Sequence, residues 1–192
     1  MLTEPRLVKI AFTEADLPAV QSFACGDRLW EAHLSDWIKG KSTDDTSVIE
    51  AMQDGTKVWL YMTQQGGIVG YGSLGVTTWS YPSPYGGEKA TFGVIPALAV
   101  NLPFQGQPPG NWEQRYSTEI IGDLIAEAVE TYRTGSFPDP LLGLFVDTRN
   151  VRAKKLYVRM GFEDFGKPLK RQGYALQRML LNLNEDLLKP TG

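Results

Sequence analysis

Apolar positions along this chain fall into two rhythms. Short unbroken or alternating runs suit strands, and i, i+3, i+4 stripes suit helices. Leu7 to Phe12 is the first strand-like run, and Thr13-Glu-Ala-Asp16 follows as a capping segment with its acids at the positive end of a helix dipole. Residues 15–39 read as mostly helical, as two helices broken near Cys25-Gly26-Asp27, with Trp30, Leu34, Trp37 and Ile38 forming a stripe. Lys41 to Ser47 is a polar loop, and Val48 to Met52 is a short helix ended by Asp54-Gly55.

The rhythm then turns to strands. Lys57 to Thr63 and Ile68 to Trp79 flank a hairpin turn at Gln64-Gln-Gly-Gly67. Tyr81 to Glu88 is a Pro- and Gly-rich loop. Thr91 to Leu102 is apolar enough for a central strand, which Pro96 opposes unless a bulge sits near it. After the Pro108-Pro109-Gly110 turn, a helix lies between Asn111 and Tyr132, its apolar face made by Ile120, Ile121, Leu124, Ile125 and Ala128. Thr134 to Pro140 is a loop, and Tyr174 to Leu183 is the last strand.

Between these lies the stretch with the most chemistry, LGLFVDTRNVRAKKLYVRMGFEDF, Leu142 to Phe165. A buried strand over 141–146 meets the turn Asp147-Thr-Arg-Asn150, and Asn150 is a good N-cap. Ala153, Leu156, Tyr157 and Met160 share one face of a helix over about 151–160, and Gly161 then stops it, with Phe162 packing back on the last turn. On these residues alone, Tyr157 as a core aromatic and Asn150 as a plain cap stay open.

A strand, then Asn150, then Ala153 and Leu156-Tyr157 on a helix, then Gly161-Phe162: this segment resembles the acyl-CoA-binding end of the GNAT superfamily of N-acetyltransferases. The resemblance implies an α/β (α+β) fold with a mixed, mostly antiparallel central sheet of about six or seven strands, splayed near Pro96 and flanked by helices. It implies acetyl-CoA (coenzyme A) as acyl donor, no metal, and direct attack by a primary amine of a small-molecule or peptide acceptor. By resemblance, Asn150 contacts the pantetheine arm and Tyr157 is the general acid for the departing thiolate. Leu98 and Val100 would bind pantetheine through the backbone. The family's phosphate loop, Gln/Arg-x-x-Gly-x-Gly/Ala, starts here at Gln105, but its glycines do not follow. Either an insertion leaves the anion to backbone N–H groups around Ser117 and Thr118 at a helix N-terminus, with Gln105 or Arg115 and Lys154 in the basic surroundings, or the pyrophosphate site has decayed. Glu88 is the nearest carboxylate for a general base. Asp147 reads as ordering its turn, and His33 and Cys25 as structural.

Size and composition set the outer bounds. With 192 residues and 42% apolar content, residues 1–192 are expected to form one packed domain. No apolar run approaches the roughly 20 residues of a membrane span, and MLTEPRLVKIAF has no signal-peptide core, so a cytoplasmic protein is expected. One Cys and one His give no disulfide framework and no Cys/His metal site. Charge is uneven: residues 149–178 hold nine Lys/Arg against two acids, while residues 1–148 hold nine against eighteen. The basic stretch suits a phosphorylated cofactor, and nucleic acid is disfavoured as its partner. A homodimer stays open. Two rival classes remain: a catalytically inactive acyl-CoA-binding or regulatory module on the same scaffold, and an unrelated nucleic-acid binder.

Overall fold

The computed structural model describes residues 7–41, 46–80, 88–108, 111–171 and 173–184. Among the described residues eight strands form one mixed sheet: β1 (Val8–Ala11), β2 (Lys57–Met62), β3 (Ile68–Ser80), β4 (Lys89–Ile95), β5 (Leu98–Val100), β6 (Leu141–Asp147), β7 (Glu163–Arg171) and β8 (Tyr174–Asn182). The helices are α1 (Leu29–Ile38), α2 (Val48–Gln53), α3 (Tyr116–Arg133) and α4 (Val151–Arg159). Strand order is β1-β2-β3-β4-β6-β8-β7, with β5 paired to β3. Every pairing is antiparallel except β4 with β6.

The chain divides into two compact units. One runs to Leu74 and takes in Ala97–Asp123; the other holds Gly75–Pro96 and the chain from Leu124 onward. In the first unit, Trp37 and Ile38 of α1, Val48 and Ala51 of α2, and Val58, Leu60 and Tyr71 of the sheet join one core with Phe12 and Phe23. The Tyr71 ring stacks on Trp37 at 5.7 Å, and its hydroxyl donates to the Leu34 carbonyl at 2.8 Å, so this aromatic is buried with its polar end satisfied. Asp123 on α3 accepts from the Tyr61 hydroxyl at 2.7 Å and pairs with Lys9 at 2.8 Å, tying the helix to β1 and β2.

In the second unit, β8 alternates cleanly. Gln177, Met179 and Leu181 are buried, whereas Leu176, Arg178 and Leu180 are half-buried. Leu142, Leu144 and Val146 of β6 join the buried face. On the other face the Trp79 indole lies over Gly143, where a Cβ would stand 2.8 Å from it.

Four expectations change. Residues 15–39 give a single α-helix, α1; ahead of it stand only a 3-10 turn at Glu14–Asp16 and successive turns through Gln21, Pro18 having no N–H to extend a helix. The strand expected over Thr91–Leu102 is two strands, β4 and β5, interrupted at Pro96. β7 has no apolar rhythm, since all of its residues but Phe165 are exposed, and so was invisible to periodicity. These two strands raise the sheet from about six or seven to eight. The turns at 81–87, 42–45 and 109–110 lie outside the described residues.

Candidate active site

β6 ends in a turn built from its own charges. Asp147 is buried and accepts from the Arg149 backbone N–H at 2.9 Å, from Nε at 3.0 Å and from Nη2 at 2.8 Å. These side-chain hydrogen bonds hold the Asp147 carboxyl below its ordinary range and raise the guanidinium in turn. The turn delivers Asn150 to the N-cap of α4, where its Oδ1 accepts from the Ala153 N–H at 3.1 Å. Gly161 closes the helix with φ +92°, a backbone conformation that favours glycine.

Tyr157 lies two turns along α4 from that cap. It is 9% exposed and meets Phe162 edge-on, with ring centroids 6.1 Å apart. Burial pushes its hydroxyl up to about 12, with no charged neighbour contributing. The phenol therefore keeps its proton at every physiological pH and acts as a donor, not a base. Lys154, one turn past the cap, is engaged with Asp164 at 2.6 Å.

Glu88 lies at the other end of the β4–β6 pair from Asn150. It precedes β4, whereas Asn150 follows the far end of β6, which runs parallel to β4 with Gly93 level with Leu142. The seven steps from Glu88 to Ile95 span about 23 Å if extended. Cys25 is unsuited to attack. Its thiol is buried, donates to the Glu31 carbonyl at 3.0 Å, and is pushed up by that burial.

The remaining sequence-derived residues lie in the first unit. Leu98 and Val100 sit half-buried on β5, one edge of which pairs with β3. Gln105 is committed to the backbone: its Nε2 donates to the Cys25 carbonyl at 2.6 Å and the Val100 carbonyl at 3.1 Å. The chain then reaches α3, an 18-residue helix that opens just after Arg115. Ser117 and Thr118 form its first turn, and the Thr118 hydroxyl donates to the Trp112 carbonyl at 2.7 Å. The Arg115 Nε is buried with no partner among the described residues. A helix N-terminus beside an unpaired guanidinium edge fits an anion.

Sequence reasoning missed the counter-ion role of Arg149. An Asp at the end of a buried strand with Arg two residues on is the signal that was available, because a buried carboxylate needs such a partner. Among the described residues no cluster of His, Cys, Asp and Glu is gathered as a metal site, and no helix is long and apolar enough to cross a membrane.

The order of these elements, with the central strand interrupted at Pro96, defines a GNAT-type fold. Solved structures that share it include a bacterial toxin (TM-score 0.66, 12% identity, 96% of this chain and 94% of that one). A mutant of the AtaT toxin bound to the C-terminus of antitoxin AtaR and to acetyl-CoA aligns with TM-score 0.62 and 16% identity over 97% of this chain and 99% of that one. AtaT complexed with acetyl-methionyl-tRNAfMet aligns with TM-score 0.62 and 16% identity, over 95% and 98%. No family model and no curated protein matches the sequence.

Proposed function

We propose that this protein is an acetyl-CoA-dependent N-acetyltransferase. The observation that carries the reading is the capped α4 with Tyr157 buried on it, in a fold that AtaT shares while bound to acetyl-CoA. In this reading, within the first unit, the first turn of α3 with Arg115 receives the pyrophosphate and the backbone of β5 at Leu98 and Val100 lies along pantetheine. Gln105 acts indirectly, by fixing the loop that leads to α3.

The reaction forms a C–N bond between a neutral amine and the thioester carbonyl and breaks the C–S bond. The amine proton passes to water, and the departing thiolate needs a donor. A phenol near 12 is a weaker acid than a thiol near 8.5. Tyr157 therefore stabilises the leaving sulfur chiefly through a hydrogen bond, with the final proton drawn from solvent. AtaT and KacT both occur among the related structures as tyrosine-to-phenylalanine mutants, which supports a tyrosine as the first side chain to replace.

One observation favours a different acceptor class. AtaT has been captured with an acetylated aminoacyl-tRNA, and residues 149–178 of this chain are strongly basic. The α-amine of an aminoacyl-tRNA is thus the second reading, and it withdraws the expectation that nucleic acid is disfavoured. Titration calorimetry with acetyl-CoA comes first, followed by thiol release with small amines, peptides and charged tRNA in parallel. Binding with turnover that drops about a hundredfold in Tyr157→Phe supports the proposal. Binding without turnover on any amine favours the inactive module, and absence of binding to folded protein removes acetyl-CoA as donor.

A further inference from the structure

Arg178 occupies the centre of a three-strand row in the second unit, with Phe145 of β6 opposite it on one side and Phe165 of β7 on the other. Its guanidinium lies 4.9 Å from the Phe165 ring centroid and 5.4 Å from that of Trp79. Trp79 and Phe165 are themselves stacked at 5.9 Å, and Trp79 also meets Phe145 at 5.1 Å. A cation is stable against such rings, but ring faces use none of the five in-plane N–H donors of a guanidinium. Among the described residues those donors find no other partner. The Arg178 Nε is buried without a partner among the described residues, and no described carboxylate or carbonyl pairs with the side chain.

The buried Nε–H carries an uncompensated desolvation cost, and an apolar side chain of similar length would fill the same space without it. The surroundings also make room for the guanidinium. β7 breaks register between Phe165 and Leu169, and in that break Gly166 leaves clearance where a Cβ would stand 3.1 Å from Nη2. Lys167, Lys170 and Arg171 follow on the same strand, against Glu163 and Asp164 ahead of Phe165, of which Asp164 is paired with Lys154, and the face itself is half-buried rather than closed.

We infer that Arg178, set on the Trp79–Phe165 platform, is a binding site for an oxyanion, a phosphate or a carboxylate, that docks on the guanidinium edge. The site is built from other residues than the proposed cofactor anion site at Arg115 and does not depend on acetyl transfer. A guanidinium edge accepts both groups in a bidentate manner, so the two share one chemistry.

The test reads the side chain directly. In the full-length, 15N-labelled protein, the Nε–Hε resonance of Arg178 is assigned by its disappearance in Arg178→Lys, with Arg178→Gln as the second assignment variant should the first fail to fold. Inorganic phosphate, acetate and chloride are then titrated at matched ionic strength. The expected result is a saturable shift of that resonance with phosphate or acetate and none with chloride, and, read from the backbone amides of Phe145 and Phe165, phosphate or acetate affinity about tenfold or more weaker in either variant. A phosphate-only response assigns a phosphate-bearing ligand, and an acetate response a carboxylate. A resonance unmoved by both oxyanions, or a shift confined to Arg115, overturns the inference.

Discussion

The Ser73 hydroxyl bonds both backbone groups of Ala97, donating to the carbonyl at 2.7 Å and accepting from the N–H at 2.9 Å. The Ser73 N–H donates to the same carbonyl at 3.0 Å. Pro96 cannot supply a ladder donor, so a buried side chain stands in for strand pairing at the point where β4 gives way to β5. Ser73→Ala leaves the Ala97 N–H buried and unpaired, which costs about 1–3 kcal/mol. Urea denaturation should show that loss, together with faster amide exchange at Ala97. A variant as stable as the parent would mean that the interruption is held by other contacts.

Gly143 is required for a different reason. A Cβ there would meet Trp79 Cη2 at 2.8 Å and Phe92 Cε2 at 2.9 Å, both on rings that cannot bend away. Gly143→Ala is expected to destabilise by about 1–3 kcal/mol through overpacking. Adding Trp79→Phe should restore part of it, and a double-mutant cycle measures the coupling. Strictly additive effects would show that the indole does not set the need for glycine.

These two positions mark the boundary of what the sequence conveys. The β6–Asn150–Tyr157–Gly161 segment was legible because it is local: cap, stripe and stop lie within one stretch of chain. The apolar face of α3 was legible for the same reason. The division of Thr91–Leu102 into two strands was half-visible in Pro96, but its support comes from Ser73, 24 residues away, and no local pattern reports such a partner. β7 was hidden because an exposed edge strand has no buried face to impose alternation. Arg178 read as one more base in a basic stretch; only the strand register places it between two aromatic residues.

Asp147 gives the acid limb of stability. Arg149 holds its carboxyl below the ordinary value of 3.8, so the native state binds fewer protons there than the unfolded chain. That contribution is fully present above the ordinary value and is lost as pH falls through the lowered one. Asp147→Asn should cost about 1–3 kcal/mol at neutral pH, and its stability should fall less than the parent's between neutral pH and about pH 2. Parallel acid profiles would place the acid sensitivity elsewhere.

Tyr157 gives the alkaline limb. Its hydroxyl is raised from an ordinary 10.0 to about 12 by burial, so between those values the native protein keeps a proton that the unfolded chain releases. The stability tied to this difference is fully present below pH 10.0 and drains away as pH rises toward about 12. Two units correspond to roughly 2–3 kcal/mol for a side chain this well buried. Tyr157→Phe keeps the ring against Phe162 and removes the titrating group. The parent should lose stability relative to this variant across that window, while ultraviolet titration shows one late phenolate missing from the variant. The difference between the two curves isolates Tyr157. A difference curve that stays flat would mean that the hydroxyl is solvated in the native state, and the proton-holding donor in the proposed acetyl transfer would have to be sought elsewhere.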